Sequence, residues 1–292
     1  MALSLALSSY TIAATLPVVE SKISLGTLKP DNGGNSTAWG VSADGSTVVG
    51  ESDIDGEWGR AFIWREATDM TDPGTLRSDN SGSSGAYGVS ADGSTVVGAA
   101  DIDNIYFNAF IWREATGMTG LGTLMSDNGG YSLAWRVSAD GSTVVGYAET
   151  DDGPYNAFIW REATGMTGLG TLRSDNGGFS QAWGVSADGS TVVGYAETDD
   201  GPYNAFIWRE ATGMTGLGTL MSDNGGNSMA YGISADGSTV VGYAHTDGGG
   251  VQCLYLAGGN RYDQPWHPEV GQRRLFTGQG NICGRQHGSR LC

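Results

Sequence analysis

Basic residues are scarce in this chain of 292 residues: 15 Lys and Arg stand against 32 Asp and Glu, a formal net charge of −17. The arginines are scattered singly, so there is no clustered cationic surface for a phosphate backbone, which excludes nucleic acid as a partner. Cysteine is limited to Cys253, Cys283 and Cys292. The long stretch before them therefore uses neither disulfides nor thiol chemistry, and the redox compartment is not legible from it. Beyond the N-terminus no apolar run approaches the length of a transmembrane helix. No GxSxG, P-loop, HExxH, EF-hand loop or GGxGxD nonapeptide occurs, so nucleophilic, phosphate and metal chemistries lack their parts. No catalytic residue, metal site or cofactor is assigned.

What is abundant is glycine, with 49 residues against seven prolines. Together with many Thr, Val and Trp, and without helical runs of Lys, Glu and Leu, this composition predicts short strands joined by tight turns, an all-β protein. The motif SADGSTVVG begins at Ser42, Ser90, Ser138, Ser186 and Ser234, and GTL at Gly26, Gly74, Gly122, Gly170 and Gly218. FIWRE begins at Phe62, Phe110, Phe158 and Phe206, so every spacing is 48 residues. A fixed period of this size is the mark of stacked units that cannot bury their apolar faces alone.

Within one unit, Asp-Gly between apolar runs predicts a hairpin, because Gly accepts the positive φ that the turn requires. The Ala-Thr-Gly after FIWRE predicts a second, with Asp69 in the Gly position of the first copy. Four short antiparallel strands per repeat result. The central runs TVVG and AFIW are continuously apolar, as expected of strands covered on both faces. A β-propeller of about five four-stranded blades, incomplete in its fifth, supplies that burial. The competing fold is a β-solenoid, whose parallel coils have no use for two hairpin turns per unit. The glycines of AWGVS and GLGTL are expected to relieve backbone crowding at the axis or between blades. The orphan segment ISLGTL, Ile23 to Leu28, is expected to lend a strand to the last blade and close the ring.

Domain organisation follows from the two ends of the repeat array. Residues 1–22 resemble a signal sequence clipped at its start, with an apolar stretch and small residues around Ala13 and Ala14 but no basic n-region; an ordinary apolar first strand is the alternative. Residues 23–251 form the repeat domain. At residue 254, where the next FIWRE is due, the chain reads LYLAGG. Permissible codons for Gln252 to Asn260, read one nucleotide downstream, spell SAFIWREA, and the same shift continues the repeat to Cys292. Residues 252–292 are therefore expected to be an out-of-frame tail that packs poorly, in which His267, His287 and the cysteines are not ligands.

The pair ADGSTVVGYA and NAFIW resembles the HAF family of extracellular repeats over roughly residues 24–250. Where that family carries His-Ala-Phe, this chain has Arg60-Ala61-Phe62 and then Asn108, Asn156 and Asn204. The resemblance implies a location, the passenger region of a large bacterial surface protein of autotransporter type, whose membrane barrel would lie beyond the frameshift. It implies no reaction.

The acids Asp53, Asp55, Asp101, Asp103, Glu149, Asp151, Asp152, Glu197, Asp199 and Asp200 recur in pairs, a pattern compatible with glycoside hydrolysis or Ca²⁺ binding but read here as solvated loops. The repeated Arg-Glu from Arg65 and Glu66 to Arg209 and Glu210 is expected to pair across blades. An active site needs one constellation, yet Ser138 to Leu172 is identical to Ser186 to Leu220. Aromatics among the acids of the strand-joining loops, Trp58, Tyr106, Phe107, Tyr155 and Tyr203, are the candidate ligand-binding residues. The expected function is a non-enzymatic extracellular or cell-surface module for display, adhesion or binding of a protein or glycan ligand. The alternatives are a secreted propeller enzyme acting on polysaccharide, or a frameshifted product without function.

Overall fold

The structure, a computed structural model, describes residues 22–55, 57–103 and 107–257, with a short paired segment at Arg285–Gln286 and Ser289–Arg290. Every regular element is a β-strand. The first blade holds β1 (Ser36–Val41), β2 (Thr47–Ile54), β3 (Glu57–Arg65) and β4 (Asp69–Thr71). The second holds β5 (Ser84–Val89), β6 (Thr95–Asp101), β7 (Phe107–Arg113) and β8 (Gly117–Gly122). The third holds β9 (Ser132–Val137), β10 (Thr143–Glu149), β11 (Tyr155–Arg161) and β12 (Gly165–Gly170). The fourth holds β13 (Ser180–Val185), β14 (Thr191–Glu197), β15 (Tyr203–Arg209) and β16 (Gly213–Gly218). A fifth holds β17 (Ser228–Ile233), β18 (Thr239–His245) and β19 (Val251–Ala257). Each is an antiparallel meander with its strands in chain order.

Both turn expectations hold. Gly45, Gly93, Gly141, Gly189 and Gly237 take φ between 69° and 75° in equivalent hairpins, and Asp69 takes φ 54° where Gly117, Gly165 and Gly213 take 69°. The first strands of consecutive blades lie against one another while the fourth strands meet only lightly, so the blades splay outward as in a propeller. Backbone crowding is severe at the glycine of TVVG: a Cβ on Gly146 would lie 1.9 Å from the Leu133 carbonyl oxygen. The Phe of FIWRE covers the bare backbone left there, Phe62 over Gly50 and Phe110 over Gly98.

Between blades the core repeats. Val97, Ile111 and Leu121 of the second blade interdigitate with Ala134, Val144 and Phe158 of the third, all at most 8% exposed, and the next two interfaces copy the arrangement. A β-bulge at Leu169 between Ala157 and Phe158 pairings turns that leucine inward. Each large side chain so buried contributes about 1.5–3 kcal/mol before entropy is counted. A hydroxyl clasp accompanies each interface: Ser132 Oγ accepts the Ala109 N–H at 2.8 Å and donates to the Gly122 carbonyl at 2.6 Å, and Ser84, Ser180 and Ser228 do the same for their blades. At the Asp-Gly end a backbone ladder joins successive turns, the N–H of Ala43, Ala91, Ala139 and Ala187 each donating to the carbonyl 48 residues on at 2.9–3.1 Å.

Two expectations fail. The segment Ile23 to Leu28 is not a strand and adds nothing to the fifth sheet, whose order is β17-β18-β19. Its Gly26 carbonyl accepts from Ser36 Oγ at 2.7 Å and its Leu28 N–H donates to Ser52 Oγ at 2.9 Å, so it serves the first blade as GTL serves the others. The hydroxyl ten residues downstream captures it locally, and the arc stays open. Trp39 and Val41 are 53% and 60% exposed at one end, Tyr231 and Val241 48% and 46% at the other. The second failure concerns Gln252 to Ala257, which do not pack poorly but pair with β18 in the register of FIWRE, Leu254 buried at 4% in the Phe position. Out of frame or not, VQCLYLA is apolar enough to make a third strand. Residues 258–284, 287–288 and 291–292 lie outside the described residues, as does the leader 1–21.

Candidate ligand-binding surface

Of the five aromatics expected in loops, three are at strand starts. Phe107, Tyr155 and Tyr203 open β7, β11 and β15 and are half-buried. Hairpin register draws them in, Tyr155 sitting opposite Glu149 and Tyr203 opposite Glu197. Trp58 lies on β3 with its side chain outside the described residues, as does Tyr106 altogether. The three described rings belong to one network. Tyr131 touches Phe107 at 6.3 Å, Tyr155 at 5.8 Å edge-on and Tyr147 at 5.8 Å stacked. Phe179 repeats this with Tyr155, Tyr195 and Tyr203 at 5.9–6.2 Å. Varied positions after Asp-Asn-Gly-Gly, Tyr131 and Phe179, thus supply partners to the loop aromatics. Desolvation raises the Tyr147 phenol well above its ordinary range, and pushes Tyr195 up to about 12, so both remain neutral donors at physiological pH.

A second aromatic row was not singled out from sequence. In every first strand the register slips by one residue, and the extra residue is aromatic: Trp39, Tyr87, Trp135, Trp183 and Tyr231. The bulge aims each ring at its neighbour in the next blade, at 6.5, 5.2, 4.7 and 5.9 Å in turn. Trp135 also meets Tyr147 at 6.5 Å, joining the two rows. The signal was present as the recurring pair Ala-Trp or Ala-Tyr, but only pairing shows that the aromatic stands outside the ladder. The buried indole N–H groups of Trp135 and Trp183 have no acceptor in hydrogen-bond geometry, although Trp183 lies beside the Tyr195 hydroxyl.

Next to this row the repeat breaks once. The position after the bulge is Gly40, Gly88, Gly184 and Gly232 in four blades and Arg136 in the third. Space there is tight: a Cβ on Gly88 would lie 3.0 Å from the Trp135 carbonyl oxygen and 3.2 Å from the Arg136 Cα. Arg136 Nη1 donates to the Tyr87 carbonyl at 3.0 Å and the Trp135 carbonyl at 2.8 Å. Desolvation lowers its pKa. Among the described residues no carboxylate pairs with it, whereas Arg60, Arg65, Arg77, Arg113, Arg161 and Arg173 each have at least one.

Seven of the ten recurrent acids are built into the scaffold, while Asp55, Asp152 and Asp200 are exposed. Asp53, Asp101, Glu149 and Glu197 accept the N–H of the residue leading into their blade's first strand at 2.8–3.2 Å, and His245 Nδ1 takes that place in the fifth blade, at 3.3 Å from the Asn227 nitrogen. Asp103, Asp151 and Asp199 each hold a serine N–H and hydroxyl 25 residues upstream at 2.8–3.2 Å. Among the described residues no three His, Cys, Asp or Glu side chains gather to hold a metal. The Arg-Glu pairs do cross blades: Arg65 meets Glu114 at 3.6 Å, Arg113 meets Glu162 at 3.4 Å and Arg161 meets Glu210 at 3.2 Å. Arg113, Glu114, Arg161 and Glu162 border a shallow groove of about 800 Å³ at the Asp-Gly end. Arg60, Asn108, Asn156 and Asn204, which precede the Ala-Phe of each third strand, are all buried, and two of them donate toward the next blade while Arg60 is paired within its own. Asn108 and Asn156 reach the Gly130 and Gly178 carbonyls at 3.1 Å, and Arg60 pairs with Asp72 at 3.2 Å.

No protein-family model matches the chain, and no curated protein matches it in sequence. Among solved structures it is similar to a putative TolB from Agrobacterium tumefaciens, at 15% identity and a TM-score of 0.48, over 77% of this chain and 83% of that one. TolB from Acinetobacter baumannii is similar at 14% identity and a TM-score of 0.45, over 77% of this chain; the chain spans about half of that protein, 55%. The β-propeller domain of the Trilobed protease from Pyrococcus furiosus, described as having an open velcro topology, is similar at 10% identity and a TM-score of 0.33, over 80% of this chain and 99% of that one. The chain is an all-β propeller, four complete blades and a fifth with three described strands.

Proposed function

We propose that this chain is a non-enzymatic binding module that acts outside the cytoplasm, in display or adhesion at a bacterial surface, and that it presents its aromatic network to a protein or glycan ligand. One observation carries this reading. Most of the repeated acids and arginines are spent on the scaffold, in backbone caps and cross-blade pairs, while the partly exposed aromatics form a continuous strip across the second to fourth blades that the bulge row extends to the fifth. Flat aromatic surfaces with polar edges suit sugars and protein partners alike. The extracellular location rests on the resemblance to HAF repeats and on the apolar start of the chain.

The test is binding of the full chain to immobilised glycans and extracellular proteins, compared with a Tyr155→Ala, Tyr203→Ala double variant. Retained binding by the folded double variant would remove the loop aromatics from the site. Release of reducing ends from a polysaccharide by the wild-type chain would replace the binding reading with the enzymatic one.

A further inference from the structure

The two ends of the blade stack are complementary to each other. Each internal interface joins the leading face of one blade to the trailing face of the blade before it. On the leading face of the first blade, Trp39 and Val41 are 53% and 60% exposed; in the second blade their counterparts Tyr87 and Val89 are partly buried, Val89 against the core. On the trailing face of the fifth blade, Val241 and Tyr255 are 46% and 67% exposed, whereas Val193 and Ile207 at those positions in the fourth are 0% and 3%. Tyr231, 48% exposed, has one neighbour in the row, Trp183 at 5.9 Å.

An unmet hydrogen bond matches the unmet apolar surface. In the ladder of Asp-Gly turns the N–H of Ala43, Ala91, Ala139 and Ala187 finds the carbonyl 48 residues on, which leaves the Ala43 carbonyl at one end and the Ala235 N–H at the other without a backbone partner among the described residues. One is an acceptor and the other a donor, on the faces that also carry the exposed rings. Phe62, on the leading face, is already buried at 1%, so the open part of that face is β1 itself.

We propose that a second copy of this chain docks here, the leading face of one molecule on the trailing face of the other, with Trp39 and Val41 of one copy against Tyr231 and Val241 of the other and Ala235 N–H donating to the Ala43 carbonyl. The contact continues the interface already repeated four times within the chain. It is heterologous, so each molecule retains one open end and association proceeds beyond the dimer with concentration.

Light scattering coupled to size exclusion, from micromolar to millimolar protein at physiological salt, tests this with two variants. V41D places a charge on the leading face and V241D on the trailing face, both at exposed positions where the fold tolerates it; circular dichroism confirms the fold. The wild-type mass should rise with concentration, and each variant alone should remain a monomer, since every contact needs one intact face of each kind. Mixed, they should give a dimer and nothing larger, because V41D offers a good trailing face and V241D a good leading one. A monomeric wild type, self-association of either variant, or a monomeric mixture would overturn the proposal.

Discussion

Replacing Ser132 with alanine should be the most informative single perturbation of the blade interface. The hydroxyl is wholly buried and joins three segments: from the start of β9 it accepts the Ala109 N–H of β7 at 2.8 Å and donates to the Gly122 carbonyl at the end of β8 at 2.6 Å. Ser132→Ala leaves both backbone groups buried without a partner. Each such group costs about 1–3 kcal/mol, so the loss is roughly 2–6 kcal/mol, large beside a total stability on the order of 5–15 kcal/mol. The same serine in the first blade is a built-in control. Ser36 is exposed and donates only to the Gly26 carbonyl at 2.7 Å, so water replaces its bond and Ser36→Ala should cost under about 0.5 kcal/mol. Urea unfolding followed by tryptophan fluorescence reads both. A Ser132→Ala midpoint equal to that of Ser36→Ala would refute the claim that the hydroxyl clasp ties the blades together.

Arg136→Gly restores the repeat; the freed carbonyls hydrate, so thermal stability should stay within about 1 kcal/mol of wild type, and a loss above that would show the guanidinium to be structural. Glu162→Gln breaks a bridge whose partners, Arg113 and Glu162, are 31% and 79% exposed; the cost should be about 0.2–1 kcal/mol and vanish in molar salt, and an effect that salt leaves intact would contradict a screened surface pair. Acid should loosen the Asp-Gly turns. Serine hydroxyls and N–H groups hold Asp92, Asp188 and Asp236 at about 2 in the folded chain, below the ordinary 3.8. Their contribution is therefore complete above the ordinary value and lost as pH falls from about 4 to about 2. Asp188→Asn should flatten stability in that window, measured by thermal melts, and an unchanged acid slope would count against it.

The 48-residue period, the Asp-Gly turns and the runs TVVG and AFIW were enough to specify four antiparallel strands per unit and burial on both faces, because turn chemistry and apolar runs act over a few residues and repeat without interruption. The cross-blade Arg-Glu pairs were legible for the same reason. Only the tertiary structure placed the aromatic row, since a bulge is a property of pairing: Trp135 alternates like its neighbours in sequence and leaves the ladder only when Ala134 and Arg136 take successive partners on β10. Loop aromatics such as Tyr155 looked solvent-facing because their neighbours are Asp, Gly and Pro, yet pairing opposite Glu149 pulls them onto Tyr131 and Phe179. The acids, equally polar in sequence, became backbone caps because the residues they hold lie 18 or 25 positions away. The expected closure of the ring left out the local bonds that hold this segment on the first blade, among them Ser36 Oγ to the Gly26 carbonyl. The third strand of the fifth blade formed from a segment that follows no repeat, because β18, paired with β17 on one side, offers an open hydrogen-bonding edge to any apolar neighbour of the right length. Local order was thus written in the sequence, while contacts between distant segments, which depend on which backbone groups the fold leaves to be satisfied, were decided only when the blades met.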